Sequence, residues 1–328
     1  MATHYTDHLL ITDVRKNTEL PPIRKDKPGK KSKTKLSEHV VWLDERVIPG
    51  SRLYSEAIWF SPGPAEKAAG GEVGMVEHTH PFEEVLAFFG SDFQNPRDLG
   101  AELEVILDGE KNVVSRTSLI FIPAGMKHSV SFKAIRNRVF HFSIGASNEF
   151  KADVPVGTGK KGARGTAKYI VDKLVPPKVE APWSPPPPPE AAKGKGGRIL
   201  FLDSDIVPGG FYTECVWIAP RPANAPKPAP EQLARFKASV KPHAHDFAEV
   251  LCFFGTDPED VTKLNSRIEL WINDEKHIIT RSTMVYLPAG TLHCPLAFPK
   301  VGMPIIHFTS FPEGKIYYNE ADSPEDKK

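Results

Sequence analysis

A thirteen-residue stretch occurs twice in this chain, and the repetition limits the available folds more than any other feature. His78-Thr-His-Pro-Phe-Glu-Glu-Val-Leu-Ala-Phe-Phe-Gly90 returns 165 residues later as His243-Ala-His-Asp-Phe-Ala-Glu-Val-Leu-Cys-Phe-Phe-Gly255. The same offset carries Pro123-Ala-Gly-Met-Lys-His128 onto Pro288-Ala-Gly-Thr-Leu-His293, and Arg116 onto Arg281. Trp42-Leu-Asp-Glu-Arg-Val-Ile-Pro-Gly50 matches Phe201-Leu-Asp-Ser-Asp-Ile-Val-Pro-Gly209 at an offset of 159, so the second copy gains six residues before its His-x-His. Two copies of one fold are expected, and 328 residues accommodate two domains of ordinary size.

Each copy reads as short strands. Segments 54–60, 85–89, 212–218 and 250–254 are rich in aromatic and β-branched residues. Segments 102–107 and 267–272 alternate polar and apolar residues. Asp108-Gly109 and Asn273-Asp274 are hairpin signals. Segments 119–122 and 284–287 run into Pro-Ala-Gly turns, and 139–144 and 305–308 close each copy. With 32 prolines and 24 glycines, long helices are disfavoured. The expected class is all-β, a barrel or sandwich rather than a βαβ fold.

The expected division is a basic N-terminal arm over 1–35, a first domain over 36–150, a Pro/Gly-rich linker over 151–197, a second domain over 198–315 and a polar tail over 316–328. The prolines at 185–189 suggest a stiff extended spacer. Segment 231–237 reads as a short helix in the loop before the second His-x-His.

A net charge of +1 creates no global attraction to nucleic acid or an anionic membrane. The lysine-rich arm lacks interleaved aromatics for base stacking. No apolar run approaches the roughly 18 residues of a membrane span, and the N-terminus shows no signal-peptide core. Cys215, Cys252 and Cys294 form no CxxC pair and read as reduced thiols. The expectation is a cytoplasmic protein with a small-molecule substrate, a homodimer as an option, and neither nucleic acid nor membrane as partner.

Alternation on a strand aims residues i and i+2 the same way. His78 and His80 can therefore face one centre, as can His243 and His245. Glu84 and Glu249 follow in phase, and His128 and His293 arrive from a separate strand pair. Imidazoles with one carboxylate suit Mn, Fe, Co, Ni, Cu or Zn. Four protein donors leave positions open for substrate or water.

His-x-His-x3-Glu-x5-Gly followed by Pro-x-Gly-x2-His resembles the two-part signature of the cupin superfamily, and it is intact twice. The resemblance covers most of 36–150 and 198–315. It implies two tandem cupin domains, jelly-roll β-barrels that each hold one divalent transition metal. The implied ligands are His78, His80, Glu84 and His128 in the first barrel, and His243, His245, Glu249 and His293 in the second. Iron or manganese leads, with zinc, nickel, cobalt or copper as alternatives.

Further candidates carry less weight. His141 and His307 lie in matching His-Phe-Ser and His-Phe-Thr strands and could serve as acid/base groups near neutral pH. If Phe140 and Phe142 fill the core, alternation turns His141 outward, and that arrangement is slightly favoured. Phe82, Phe132, Phe247, Phe298 and Arg235 are candidate pocket residues, and Cys294 reads as a buried, inert thiol.

The resemblance implies three functional classes. The first is a non-haem metal dioxygenase cleaving a C–C bond in a diketone, enol or catechol-like substrate. The second is a non-redox Mn- or Zn-dependent hydrolase, decarboxylase or isomerase. The third is a non-catalytic binding cupin. Oxalate decarboxylases, which are bicupins, typically place an arginine where this chain has Met75 and Val240, and that departure counts against oxalate.

Overall fold

In the computed structural model the chain is described over residues 5–14, 37–62, 74–153, 164–178, 190–191, 193–220 and 241–315. Arg235, segment 231–237, the lysines of the arm and the proline run lie outside these residues.

The strands are β1 (Leu10–Ile11), β2 (Ser37–Leu43), β3 (Tyr54–Phe60), β4 (Gly74–His78), β5 (Glu84–Gly90), β6 (Asp98–Leu107), β7 (Glu110–Arg116), β8 (Ser118–Ile122), β9 (His128–Ile135) and β10 (Val139–Gly145). They continue as β11 (Ile170–Val171), β12 (Gly197–Leu202), β13 (Tyr212–Ile218), β14 (Glu249–Gly255), β15 (Lys263–Ile272), β16 (Glu275–Arg281), β17 (Thr283–Leu287), β18 (His293–Val301) and β19 (Ile305–Phe311). The fold is all-β: two tandem jelly-roll barrels, each built from two antiparallel sheets. The first packs a sheet of order β11-β8-β5-β10-β3-β2 on a sheet β4-β9-β6-β7. The second pairs β1-β17-β14-β19-β13-β12 with β16-β15-β18.

The burial pattern of each strand follows from what covers it. Strands β6 and β15 alternate between buried and accessible residues, because one face of their sheet meets water. Strands β3, β5, β10 and β14 are buried at every position. One of their faces points into its own barrel and the other against the second barrel. Phe142 stacks on Phe308 at 4.6 Å and Phe140 lies 4.8 Å from Phe254, so one apolar core joins the two six-stranded sheets. The barrels are in direct contact.

Local chemistry explains the repeated turns. Buried Asp44 accepts from the Trp42 indole and from the amides of Arg46 and Val47, and Asp203 accepts from the amides of Asp205 and Ile206. Asp108 and Gly109 both take positive φ, 45° and 81°, as a tight hairpin between β6 and β7 requires.

The repeat extends further than the sequence alone suggests. A 3-10 turn at Asp7–Leu9 leads into β1, and a second at Thr166–Tyr169 leads into β11. Each forms a hook on the opposite barrel. Strand β1, which precedes the first barrel, pairs with β17 of the second; β11, which precedes the second barrel, pairs with β8 of the first. The attachments match atom for atom. The Thr6 amide and hydroxyl donate to Glu275 Oε2, and the Thr166 amide and hydroxyl donate to Glu110 Oε2.

Candidate metal centres

Three local devices converge the donors in each barrel. His78 ends β4, His80 follows two residues later, and a turn at 81–83 brings Glu84 to the first position of β5. His128 opens β9 directly across from His78. The Pro-Ala-Gly turn ties the two halves of the motif together: the Gly125 amide donates to the His80 carbonyl at 2.7 Å, and Gly290 does the same to His245. These glycines have φ of 76° and 79° with open space around an added Cβ, so backbone conformation and not crowding selects glycine.

Every ring of the two triads is held from behind. Nδ1 of His78, His80 and His128 donates to the carbonyls of Val76, Phe82 and Met126, at 2.8, 2.6 and 3.0 Å. Nδ1 of His243, His245 and His293 donates to Lys241, Phe247 and Thr291, at 2.8, 2.8 and 3.0 Å. A carbonyl can only accept, so Nδ1 carries a proton and Nε2 faces the centre as the available donor. The Nε2 atoms of His78 and His128 are buried with no hydrogen-bond partner. Two inward-facing orphan nitrogens are costly without a ligand, and a divalent cation fits them.

The carboxylates complete the set. Glu84 Oε2 lies 3.1 Å from His80 Nε2 and 3.7 Å from His128 Nε2. Glu249 Oε2 lies 2.9 Å from His245 Nε2 and 3.2 Å from His293 Nε2. Burial alone would raise both carboxyls, but hydrogen bonds and charge from these histidines outweigh it and hold them well below the usual range. Burial opposes charging His80 and His245, yet hydrogen bonds and charge from their glutamate partners raise them, and a bound metal would compete with a proton at these nitrogens. His78 and His243 are pushed down to about 4, by burial first and then by the neighbouring imidazole, and stay neutral as ligands must.

Six of the eight expected ligand positions fall into two tight groups, with Glu84 beside His80 and His243 beside His293. His78, His80 and His128 bring donor atoms within 4.8 Å of one another, and so do His245, Glu249 and His293. The centres differ in access. His78, His80, Glu84 and His128 are at most 2% exposed, whereas His243 and His245 are partly accessible.

Aromatic rings line both centres. Phe82 stacks on His80 at 4.2 Å and Phe247 on His245 at 4.0 Å. Phe132 sits deeper in the first barrel beside Phe60 and Phe88, and Phe298 lies near Phe253 and His307. His141 does not turn outward. Phe140 and Phe142 do fill a core, but it is the core between the barrels. His141 therefore faces into its own barrel, stacked on Phe88 at 4.5 Å with Nδ1 donating to the Ala87 carbonyl. His307 repeats this on Phe253 and the Cys252 carbonyl. Burial pushes His307 down to about 4, so it is neutral at pH 7 instead of titrating there.

Sequence reasoning missed Tyr54, Ser143 and Phe150. The Tyr54 hydroxyl donates to Glu84 Oε1 at 2.5 Å and accepts from Ser143 at 2.8 Å, leaving Oε2 to face the imidazoles. Phe150 packs 4.9 Å from Tyr54 and about as near to His78 and His80 as Phe82 is to Tyr54, at 6.0 and 6.2 Å. A signal for Tyr54 existed, since a tyrosine opens the same strand in both repeats, Tyr54 and Tyr212.

Neither a protein-family model nor a curated protein matches this chain. Solved structures do resemble it. AerE from Microcystis aeruginosa is 11% identical, with a TM-score of 0.42 over 88% of this chain and 96% of that one. Oxalate decarboxylase from Bacillus subtilis, described with Mn(II) centres, is 13% identical, with a TM-score of 0.47 over 84% of this chain and 73% of that one. A deletion mutant of the same decarboxylase is 14% identical, with a TM-score of 0.45 over 84% and 72%. Among the described residues no helix is long and apolar enough to cross a membrane.

Proposed function

We propose that this chain is a metal-dependent cupin enzyme acting on a small, oxygen-rich organic substrate, with dioxygen-dependent C–C cleavage as the leading reaction. The observation that carries the reading is the set of six imidazoles whose Nδ1 atoms are tied to backbone carbonyls, leaving every Nε2 aimed inward. A divalent transition metal bound there would supply Lewis-acid polarisation to a chelating diketone, enol or catechol and, if redox-active, dioxygen chemistry.

The chain's own residues do the rest. Phe247 would exclude water beside the second centre and give a substrate an apolar wall, while Phe82 and Phe150 shield the first centre. Tyr54 orients Glu84. We assign turnover to the second barrel, because partly accessible His243 and His245 let a substrate approach, while the closed first centre suits a structural ion.

The alternative is non-redox Lewis-acid chemistry at the same site, such as hydrolysis, decarboxylation or isomerisation. Elemental analysis of protein purified without oxygen separates the two. Iron near one atom per centre, with oxygen uptake on diketones or catechols, supports the oxygenase. Manganese or zinc with substrate loss but no oxygen uptake supports the alternative. No metal above background, together with unchanged metal content in His80→Ala and His245→Ala, overturns both and leaves a binding module.

A further inference from the structure

The second centre contains a donor that the first lacks. His243 and His293 each bring one imidazole nitrogen within 4.8 Å of each other and of Cys294 Sγ, and this group shares His293 with the His245–Glu249–His293 group. The residue after the ligand histidine in the first barrel is Ser129, which has no thiol. We propose that His243, His293 and Cys294 form an alternative ligand set through which the second barrel binds a thiophilic divalent metal by sulfur. This rests on the metal-dependent reading above and adds a difference in metal preference between the barrels.

Three features of the backbone support it. Regular strand alternation would point residues 293 and 294 to opposite faces. Cys294 instead has φ of 76°, in the left-handed region that a non-glycine residue rarely enters. The alternation is broken there, which lets Sγ lie on the same side as the His293 ring. Ser129 has no such conformation. His243 and His293 are clamped together by reciprocal backbone hydrogen bonds of 3.1 and 3.0 Å, so the spacing of their rings is set before any ligand arrives. Cys294 is 4% exposed, away from adventitious thiol chemistry, while partly accessible His243 gives a metal its entry.

The chemistry sorts the metals. Thiolate with imidazole selects zinc, cobalt(II) or copper, whereas manganese prefers the imidazole–carboxylate set. On binding, the Cys294 S–H bond breaks, its proton passes to solvent and a sulfur–metal bond forms; no electrons are exchanged.

Cobalt(II) added without oxygen to the full-length, metal-stripped protein tests this through two readouts. Bound cobalt is counted by elemental analysis after gel filtration, and sulfur ligation is read from the thiolate-to-cobalt charge-transfer absorption in the near ultraviolet. The expected result is a charge-transfer band that saturates with one cobalt per chain. Cys294→Ser should abolish the band while cobalt still binds, and His243→Ala should weaken it with Cys294 intact. Stoichiometric cobalt without the band in the wild-type protein overturns the proposal and leaves the metal-dependent function standing, as does a band that survives Cys294→Ser. No bound cobalt at all overturns both.

Discussion

At the scale of single residues, the first candidate centre depends on side chains outside its own donor set. Tyr54 holds one oxygen of Glu84 and so decides which oxygen faces the imidazoles. Tyr54→Phe should weaken metal binding at one of the two centres by about tenfold, the usual cost of losing such a supporting hydrogen bond. Titration against a chromophoric chelator measures this, and two unchanged affinities would contradict it. His307 carries a pH prediction. Its folded value of about 4 lies below the ordinary histidine value, so the unfolded chain binds the proton more readily. Its contribution is complete above about pH 6.5 and is lost as pH falls toward 4, up to about 3 kcal/mol in all. His307→Gln, which cannot charge, should flatten urea-unfolding stability across that window relative to wild type.

At the scale of elements, the hooks are the features that tie the repeats together. Each is only a 3-10 turn and a two-residue strand, too short to persist alone. Each is held by a threonine whose amide and hydroxyl both reach one glutamate of the opposite barrel. Thr6→Val should therefore increase hydrogen exchange in β16 and β17 of the second barrel, and Thr166→Val in β7 and β8 of the first. Each loss should amount to about 1–3 kcal/mol of local stability, because the hydroxyl's hydrogen bond to a charged carboxylate is removed while the amide's remains. Loosening confined to the barrel that each hook precedes in sequence, the first for Thr6 and the second for Thr166, would refute the exchange.

At the scale of the whole molecule, the barrels share a core and so should share stability. Phe308 is fully buried and contacts Phe89, Phe140 and Phe142 of the other barrel. Phe308→Ala should cost about 3–5 kcal/mol. Because the cavity opens between the barrels, chemical denaturation should show one shifted transition, not an intact first barrel beside an unfolded second one. Two separate transitions in the wild-type protein would mean that the barrels are independent.

Much of this was legible in the sequence because it is written in local spacing. The offset of 165 residues sets two copies of one barrel, the His-x-His and Pro-x-Gly-x2-His spacings collect the candidate donors, and Asp-Gly marks a hairpin. These signals need only strand alternation and allowed backbone angles. The side on which His141 lies was not local. Phe140 and Phe142 indicate a core, but the choice between a barrel interior and an interface requires knowing what packs on each face. The hooks were hidden for the same reason, since Leu10–Ile11 is a strand only against β17, on a partner more than 270 residues away. Alternation sets which residues share a face, whereas the second barrel decides what each face meets, because a sheet buried on both sides loses the polar–apolar contrast that would label inside and outside.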